Sequence, residues 1–219
     1  MNSLGLRGKI VYLIIMENEK AYTRFNSYNE GLKDISVTER IERGSEVEQC
    51  KYFMDLLVSK PEIKVVLEIG FNTGVSAAYF LSSRDDVIVI SVDIGEHKYV
   101  DDCKRLIDTH FPGRHTLLIG DSKKIIPELI KLGQIIPDLI FIDGDHIAPT
   151  PLIDARNCLA MGHKDTNYVM DDTNLLNGWA GVLDAMCELI KNKEIDTSRV
   201  LTKHSGRSSW TLFFKPPRY

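Results

Sequence analysis

The chain has 219 residues, 43% of them apolar and 26% charged, with a formal net charge of −4. That length and composition fit one α/β domain with a substantial core, and the acidic balance leaves no surplus of cations to neutralise a nucleic-acid backbone. Cys50, Cys103, Cys158 and Cys187 lie far apart, without the paired spacing of a zinc knuckle or a redox motif, which points to reduced thiols in the cytoplasm.

Residues 10–16, IVYLIIM, fall far short of the ~20 apolar residues that a membrane span needs and are followed by MENEK rather than a small-residue cleavage site. They read as a buried strand or docking segment. From 17 to 44 the sequence is polar, dotted with Tyr22, Phe25 and Tyr28 and without a clean period. Residues 1–44 therefore read as an N-terminal arm or lid, in part disordered, ahead of a main domain over 45–219.

Ser45 and Glu48 fit a capping box for a helix over 46–59. Strands and helices then alternate: strand 64–69, helix 74–83, strand 87–92, helix 97–110, strand 115–119 and helix 122–132. Strand 138–142, a helix near 150–160, strand 167–171 and helix 178–191 follow. VIVISV and DLIFI are almost continuously apolar, as strands are when helices cover both faces of a parallel sheet. SRVLTK and SWTLFFK flank HSGRS, which predicts an antiparallel hairpin turning at Gly206.

Ligands of open α/β sheets bind beyond the carboxyl ends of the strands. Acids stand at those ends here: Glu68, Asp93, Asp143, Asp171 and Asp172, with Asp121 just past another. In LEIGFNTGVS, Gly70 and Gly74 let backbone approach a ligand, the helix starting near Gly74 offers free N–H groups to an anion, and Ser76 adds a hydroxyl. Position 72 is Asn and 73 is Thr, so this is not the dinucleotide fingerprint, and Glu68 would repel a pyrophosphate while suiting an ammonium or hydroxyl groups. Asp93 is placed to accept from ribose hydroxyls, or is a solvated strand end; Asp121 and Ser122 can receive an adenine amino group, or simply cap a helix.

VVLEIGFNTGVSAAYF, VISVDIG, LLIGDS and DLIFIDGDH together resemble the class I S-adenosylmethionine-dependent methyltransferases, especially the branch containing catechol O-methyltransferase, over about residues 45–214. The resemblance implies an α/β fold, a Rossmann-like doubly wound seven-stranded sheet of order 3-2-1-4-5-7-6 with an antiparallel last strand. It implies that Glu68, Gly70, Asn72, Gly74 and Ser76 hold the methionine end of S-adenosyl-L-methionine, Asp93 the ribose, and Asp121 with Ser122 the adenine.

FIDGDHIAP and YVMDDTN bring Asp143, Asp171 and Asp172 to adjacent strand tips. Three carboxylates repel unless a cation joins them, and oxygen ligands favour a hard ion such as Mg²⁺; the plain alternative is polar loop residues with Asp172 capping a helix. The arrangement resembles metal-dependent O-methyltransferases acting on vicinal oxygens. The D-x-x-H spacing of Asp143 and His146 is similar to the sugar-modifying members, in which that His is the base; the catechol enzymes use a Lys, absent from DGDHIAPT, and carry Asn where Asp172 stands.

The implied reaction is methyl transfer to a hydroxyl of a small molecule, a sugar diol or a phenol, with Asp143 and His146 catalytic. Chelation lowers the hydroxyl pKa and His146 removes the proton. No nucleic acid or membrane is expected as partner, and homo-oligomers follow from the resemblance alone. The rivals are a metal-independent methyltransferase and a non-catalytic S-adenosylmethionine-binding protein. Asn174 and Trp179 are candidates for an acceptor pocket. If residues 1–44 close over the acceptor, deleting them harms acceptor binding more than cofactor binding.

Overall fold

The computed structural model describes residues 6–35, 47–176 and 178–217. The capping box at Ser45 and residues 1–5 and 36–44 of the expected arm lie outside them. A long helix, α1 (Leu6–Gly31), comes first and ends in a 3-10 turn, Leu32–Asp34. Residues 10–16, expected as a strand or docking segment, lie within it. After α2 (Val47–Ser59) the alternation follows as read from the sequence: β1 (Val65–Ile69), α3 (Val75–Ser83), β2 (Ile88–Asp93), α4 (Val100–His110), β3 (His115–Ile119) and α5 (Ser122–Leu132). The second half holds β4 (Leu139–Ile142), α6 (Thr150–Met161), β5 (Asn167–Asp171), α7 (Ala180–Lys191), β6 (Leu201–Ser205) and β7 (Ser208–Phe213).

The sheet has the order β3-β2-β1-β4-β5-β7-β6. Its first five strands are parallel, and β7 runs antiparallel to both β5 and β6. Successive side chains on a strand point to opposite faces, and the cores divide accordingly. Val66, Val89, Phe141 and Val169 pack under α1 to α4, while Leu67, Ile90, Ile140 and Met170 pack under α5 to α7. Phe53 of α2 centres the first core, stacked on Tyr79 at 5.7 Å and edge-on to Phe141 at 5.5 Å.

That alternation decides where the acids go. Glu68 shares the face of Val66, and Asp171 that of Val169, so both aim into the layer beneath α2 and α3. At the opposite end of the sheet, Arg84 donates to the carbonyls of Leu57, Lys60, Pro61 and Ile63, satisfying the turn that leads into β1. Among the described residues, no helix is long and apolar enough to cross a membrane.

Candidate active site

The turn between β1 and α3 is shaped by its neighbours' backbones. The Gly70 N–H donates to the Val92 carbonyl at 2.8 Å, with φ at 94°. A Cβ there would lie 1.9 Å from the Asp143 carbonyl oxygen, so only glycine fits between the tips of β1 and β4. Gly74 closes the turn by donating to the Phe71 carbonyl at 2.7 Å and begins α3 without a side-chain cap. The first-turn N–H groups of α3 are thus left for a ligand, beside a cleft that Val75 and Ser76 line. Asn72, at φ 49°, offers its Oδ1 to the Tyr99 hydroxyl at 2.6 Å.

Glu68 does not line that cleft. It is fully buried and accepts from the hydroxyls of Ser76 and Ser91, while Ser91 Oγ also lies 2.9 Å from His115 Nε2. The Phe71 ring stacks on His115 at 5.1 Å, tying this buried chain to the turn above it. Expected to touch the methionine end, Glu68 instead supports the turn from below; its position within β1 turned it inward.

Burial pushes the Glu68 carboxyl up to about 8, against the pull of the two serine donors. Burial and the Lys104 charge push His115 down to about 3. Stability contributed by Glu68 is complete below its ordinary value of 4.5 and is lost as pH rises through about 8. That from His115 runs the other way, present above 6.5 and lost as pH falls towards 3. Between 4.5 and 6.5 the two slopes oppose, and from 6.5 to 8 only Glu68 of the pair still titrates. Glu68→Gln is therefore expected to flatten the fall in urea midpoint between pH 6.5 and 8; an unchanged slope would assign that fall to other groups.

Asp93 uses one carboxylate oxygen to accept from the N–H groups of Phe71 and Asn72 at 2.8 and 2.9 Å, and the other from Gly95 N–H at 2.7 Å. A carboxylate has about four lone-pair sites, so it retains acceptor capacity facing the cleft that it lines. Asp121 caps α5 through Lys123 N–H at 3.0 Å and pairs with Lys123 Nζ at 3.1 Å, and that hydrogen bonding holds its carboxyl below the usual range. Ser122 lines the cleft and its Oγ donates to buried Asp154 of α6 at 2.7 Å, which leaves that hydroxyl able to act towards a ligand only as an acceptor.

The second constellation gathers Asp143, His146 and Asp172, whose ligand atoms all lie within 4.8 Å of one another. His146 Nε2 is 3.1 Å from Asp172 Oδ2 and 3.5 Å from Asp143 Oδ1. Neither oxygen is in line for an N–H hydrogen bond, which leaves this buried nitrogen without one. Burial pulls the His146 imidazole down, but the two carboxylates outweigh it and push it up to about 10. Burial raises Asp143 despite His146 beside it. Asp172 adopts the left-handed φ of 54°, a conformation that aspartate tolerates better than most residues.

Asp171, expected as a third metal ligand, is not in this group. Its Oδ1 accepts from Gln49 Nε2 of α2 at 2.8 Å, and burial pushes its carboxyl well up. Asp171 ends β5 on the inward face of Val169, whereas Asp172 lies beyond the strand in a left-handed conformation, so the two do not aim at one point. Trp179 stacks on the His146 ring at 4.7 Å. Gly181 makes this possible, because a Cβ there would fall 2.6 Å from the His146 carbonyl oxygen and 2.7 Å from Ala148 N. Tyr99, His115, Gln49 and Gly181 had no motif around them in the sequence to mark them.

Both constellations open onto one cleft of about 630 Å³, lined from Gly70, Asn72 and Asp93 at one end to Asp143, His146, Asp172 and Trp179 at the other. Residues 67–173 match a family model described as a methyltransferase domain. A candidate O-methyltransferase of Mycobacterium sp. (strain JLS) is 30% identical over 94 residues, 42% of this chain. The match spans 41% of that curated relative's length.

An O-methyltransferase of Bacillus cereus, solved with S-adenosylhomocysteine, superposes with a TM-score of 0.69 at 14% identity, over 88% of this chain and 91% of its own. The S-adenosylhomocysteine-bound methyltransferase PaMTH1 of Podospora anserina gives 0.69 at 16%, over 99% and 100%. TomG of Streptomyces achromogenes, with S-adenosylmethionine bound, gives 0.67 at 16%, over 89% and 90%. At these identities the likeness is one of fold. The chain shares with these methyltransferases a Rossmann-like seven-stranded fold, and the segment that matches the methyltransferase-domain model runs from β1 to just beyond β5.

Proposed function

We propose that the chain is an S-adenosylmethionine-dependent O-methyltransferase acting on a hydroxyl of a small molecule, assisted by a divalent cation. The carrying observation is the shared cleft, which joins the glycine turn and Asp93 to the Asp143–His146–Asp172 group. The residues suit the cofactor: uncapped N–H groups of α3 for its carboxylate, Asp93 for a ribose hydroxyl, and Asp121 with Ser122 for the adenine. When bound, S-adenosylmethionine supplies a methyl group on a sulfonium.

Asp143 and Asp172 are the carboxylates that would hold the cation, with His146 as a third donor. A bound divalent ion supplies Lewis acidity, which lowers the pKa of a coordinated hydroxyl. One imidazole with two carboxylates suits a first-row ion such as Mn²⁺ at least as well as Mg²⁺. If the two carboxylates alone hold the cation, its charge would offset their pull on the His146 proton, and the neutral imidazole would be the group beside the acceptor end able to take up a proton, with Trp179 stacked on its ring. Exposed Ile147, next to His146, and exposed Leu175 and Leu176, shortly before Trp179 in the chain, favour an acceptor with an apolar body, a phenol over a sugar.

One observation favours a metal-independent variant. Flanked by two carboxylates, a protonated His146 supplies a positive charge of its own at the place where a cation would sit. Calorimetric titration decides between the readings. S-adenosylhomocysteine is expected to bind wild type, and Mn²⁺ or Mg²⁺ to bind wild type but not Asp143→Asn. Cofactor binding with no divalent-ion binding would leave the metal-independent variant standing, and no cofactor binding would remove the function altogether.

A further inference from the structure

Tyr22, Phe25 and Tyr28 of α1 face inward. Ala21, Tyr28 and Leu32 are fully buried, Phe25 meets Tyr79 edge-on at 6.3 Å, and the Tyr22 hydroxyl donates to Asp55 of α2 at 2.7 Å. Tyr28 reaches furthest. Its ring lies edge-on to His110 of α4 at 5.8 Å, and its hydroxyl donates to the carbonyl of Thr73, 45 residues on, at 2.5 Å.

That carbonyl belongs to the peptide linking Thr73 to Gly74, whose N–H closes the glycine turn on Phe71. Because the peptide unit is planar, fixing its oxygen also fixes the direction of its N–H. Thr73 itself lines the cleft. A Cβ on Gly74 would lie 2.8 Å from the Tyr28 hydroxyl and 2.7 Å from the Phe71 ring, so the turn sits directly against this side chain. Burial, with Cys103 and Glu68 nearby, pushes the Tyr28 phenol up, so it stays a donor throughout the neutral range.

We infer that Tyr28 is a positioning residue for the cofactor-binding turn, and that α1 is a fixed wall behind that turn rather than a lid over the acceptor. The inference rests on reading the cleft as the S-adenosylmethionine site. It reverses the expectation that losing the N-terminal segment harms acceptor binding first.

The test compares wild type, Tyr28→Phe and Tyr22→Phe as full-length chains. Each variant loses one hydroxyl from the same helix, but the hydroxyl of Tyr22 reaches Asp55 and not the turn. Calorimetry should show S-adenosylhomocysteine binding about tenfold weaker in Tyr28→Phe, the loss of roughly one buried hydrogen bond, and unchanged within about twofold in Tyr22→Phe. In turnover assays the KM for S-adenosylmethionine should rise in Tyr28→Phe while kcat holds. Amide hydrogen exchange at residues 70–76 should speed up in Tyr28→Phe alone.

Equal weakening in both variants would reduce the effect to general stability and overturn the inference. So would wild-type affinity and wild-type exchange in Tyr28→Phe. If wild type itself binds no S-adenosylhomocysteine, the functional reading falls and the cofactor role with it. The exchange measurement then still decides whether Tyr28 holds the turn.

Discussion

Replacing Asp143 and Asp172 together by Asn is expected to abolish divalent-ion binding and to lower kcat/KM by about a thousandfold. A Lewis acid is worth several kcal/mol in the transition state, and each ~1.4 kcal/mol is tenfold in rate. Asn keeps the shape of the side chain and tolerates the left-handed conformation at position 172, so the loss is not one of folding. The thermal midpoint should fall modestly at neutral pH, because His146 loses the two carboxylates that hold its proton while the repulsion between those carboxylates is also removed. Calorimetry with Mn²⁺, thermal melts and turnover of a phenolic diol check the three parts. Full activity in the double variant would remove these acids from the chemistry.

Gly70→Ala should be the most damaging single methyl in the cleft. A non-glycine residue at φ 94° costs about 1–3 kcal/mol in backbone strain alone. The new carbon would also lie 1.9 Å from a backbone oxygen, which no side-chain rotation relieves. A total of roughly 3 kcal/mol or more corresponds to a fall of about 6–12 °C in midpoint for a chain of this size. Gly113→Ala is the control: its φ is 73° and a Cβ there would meet nothing within 4 Å, so only the strain remains. Gly70→Ala should also lose cofactor binding, since relief requires the tips of β1 and β4 to part. Equal midpoints for the two variants would show that the approach of Gly70 to Asp143 is not as close as described.

Much of this was readable from residue order. Continuous apolar strands, their regular spacing and the Gly206 turn predicted a sheet that the structure contains, strand by strand. The glycine turn and the acids at the strand tips predicted where the cleft would lie. The first helix was not readable in the same way. Its inward stripe of Ala21, Phe25 and Tyr28, continued by Leu32 of the 3-10 turn, has helical spacing, but it is interrupted by polar and charged neighbours, so its apolar signal is faint. Glu68 and Asp171 were misplaced for a simpler reason. Each lies within a strand on the face covered by α2 and α3, whereas Asp143 and Asp172 lie beyond the strand ends and turn towards the cleft. Gln49, Tyr99 and His115 act across distant parts of the chain, and no local pattern marks such partners.

The glycine turn is held from four directions: by the Val92 carbonyl, by the Asp93 carboxylate, by its own Phe71–Gly74 bond and by the Tyr28 hydroxyl. Every one of those partners belongs to the protein itself. A turn so fixed has little conformational freedom left to surrender when a ligand arrives. Association with the cleft should accordingly carry a small entropic cost at this end, and preorganisation there leaves conformational adjustment to the acceptor end around Trp179.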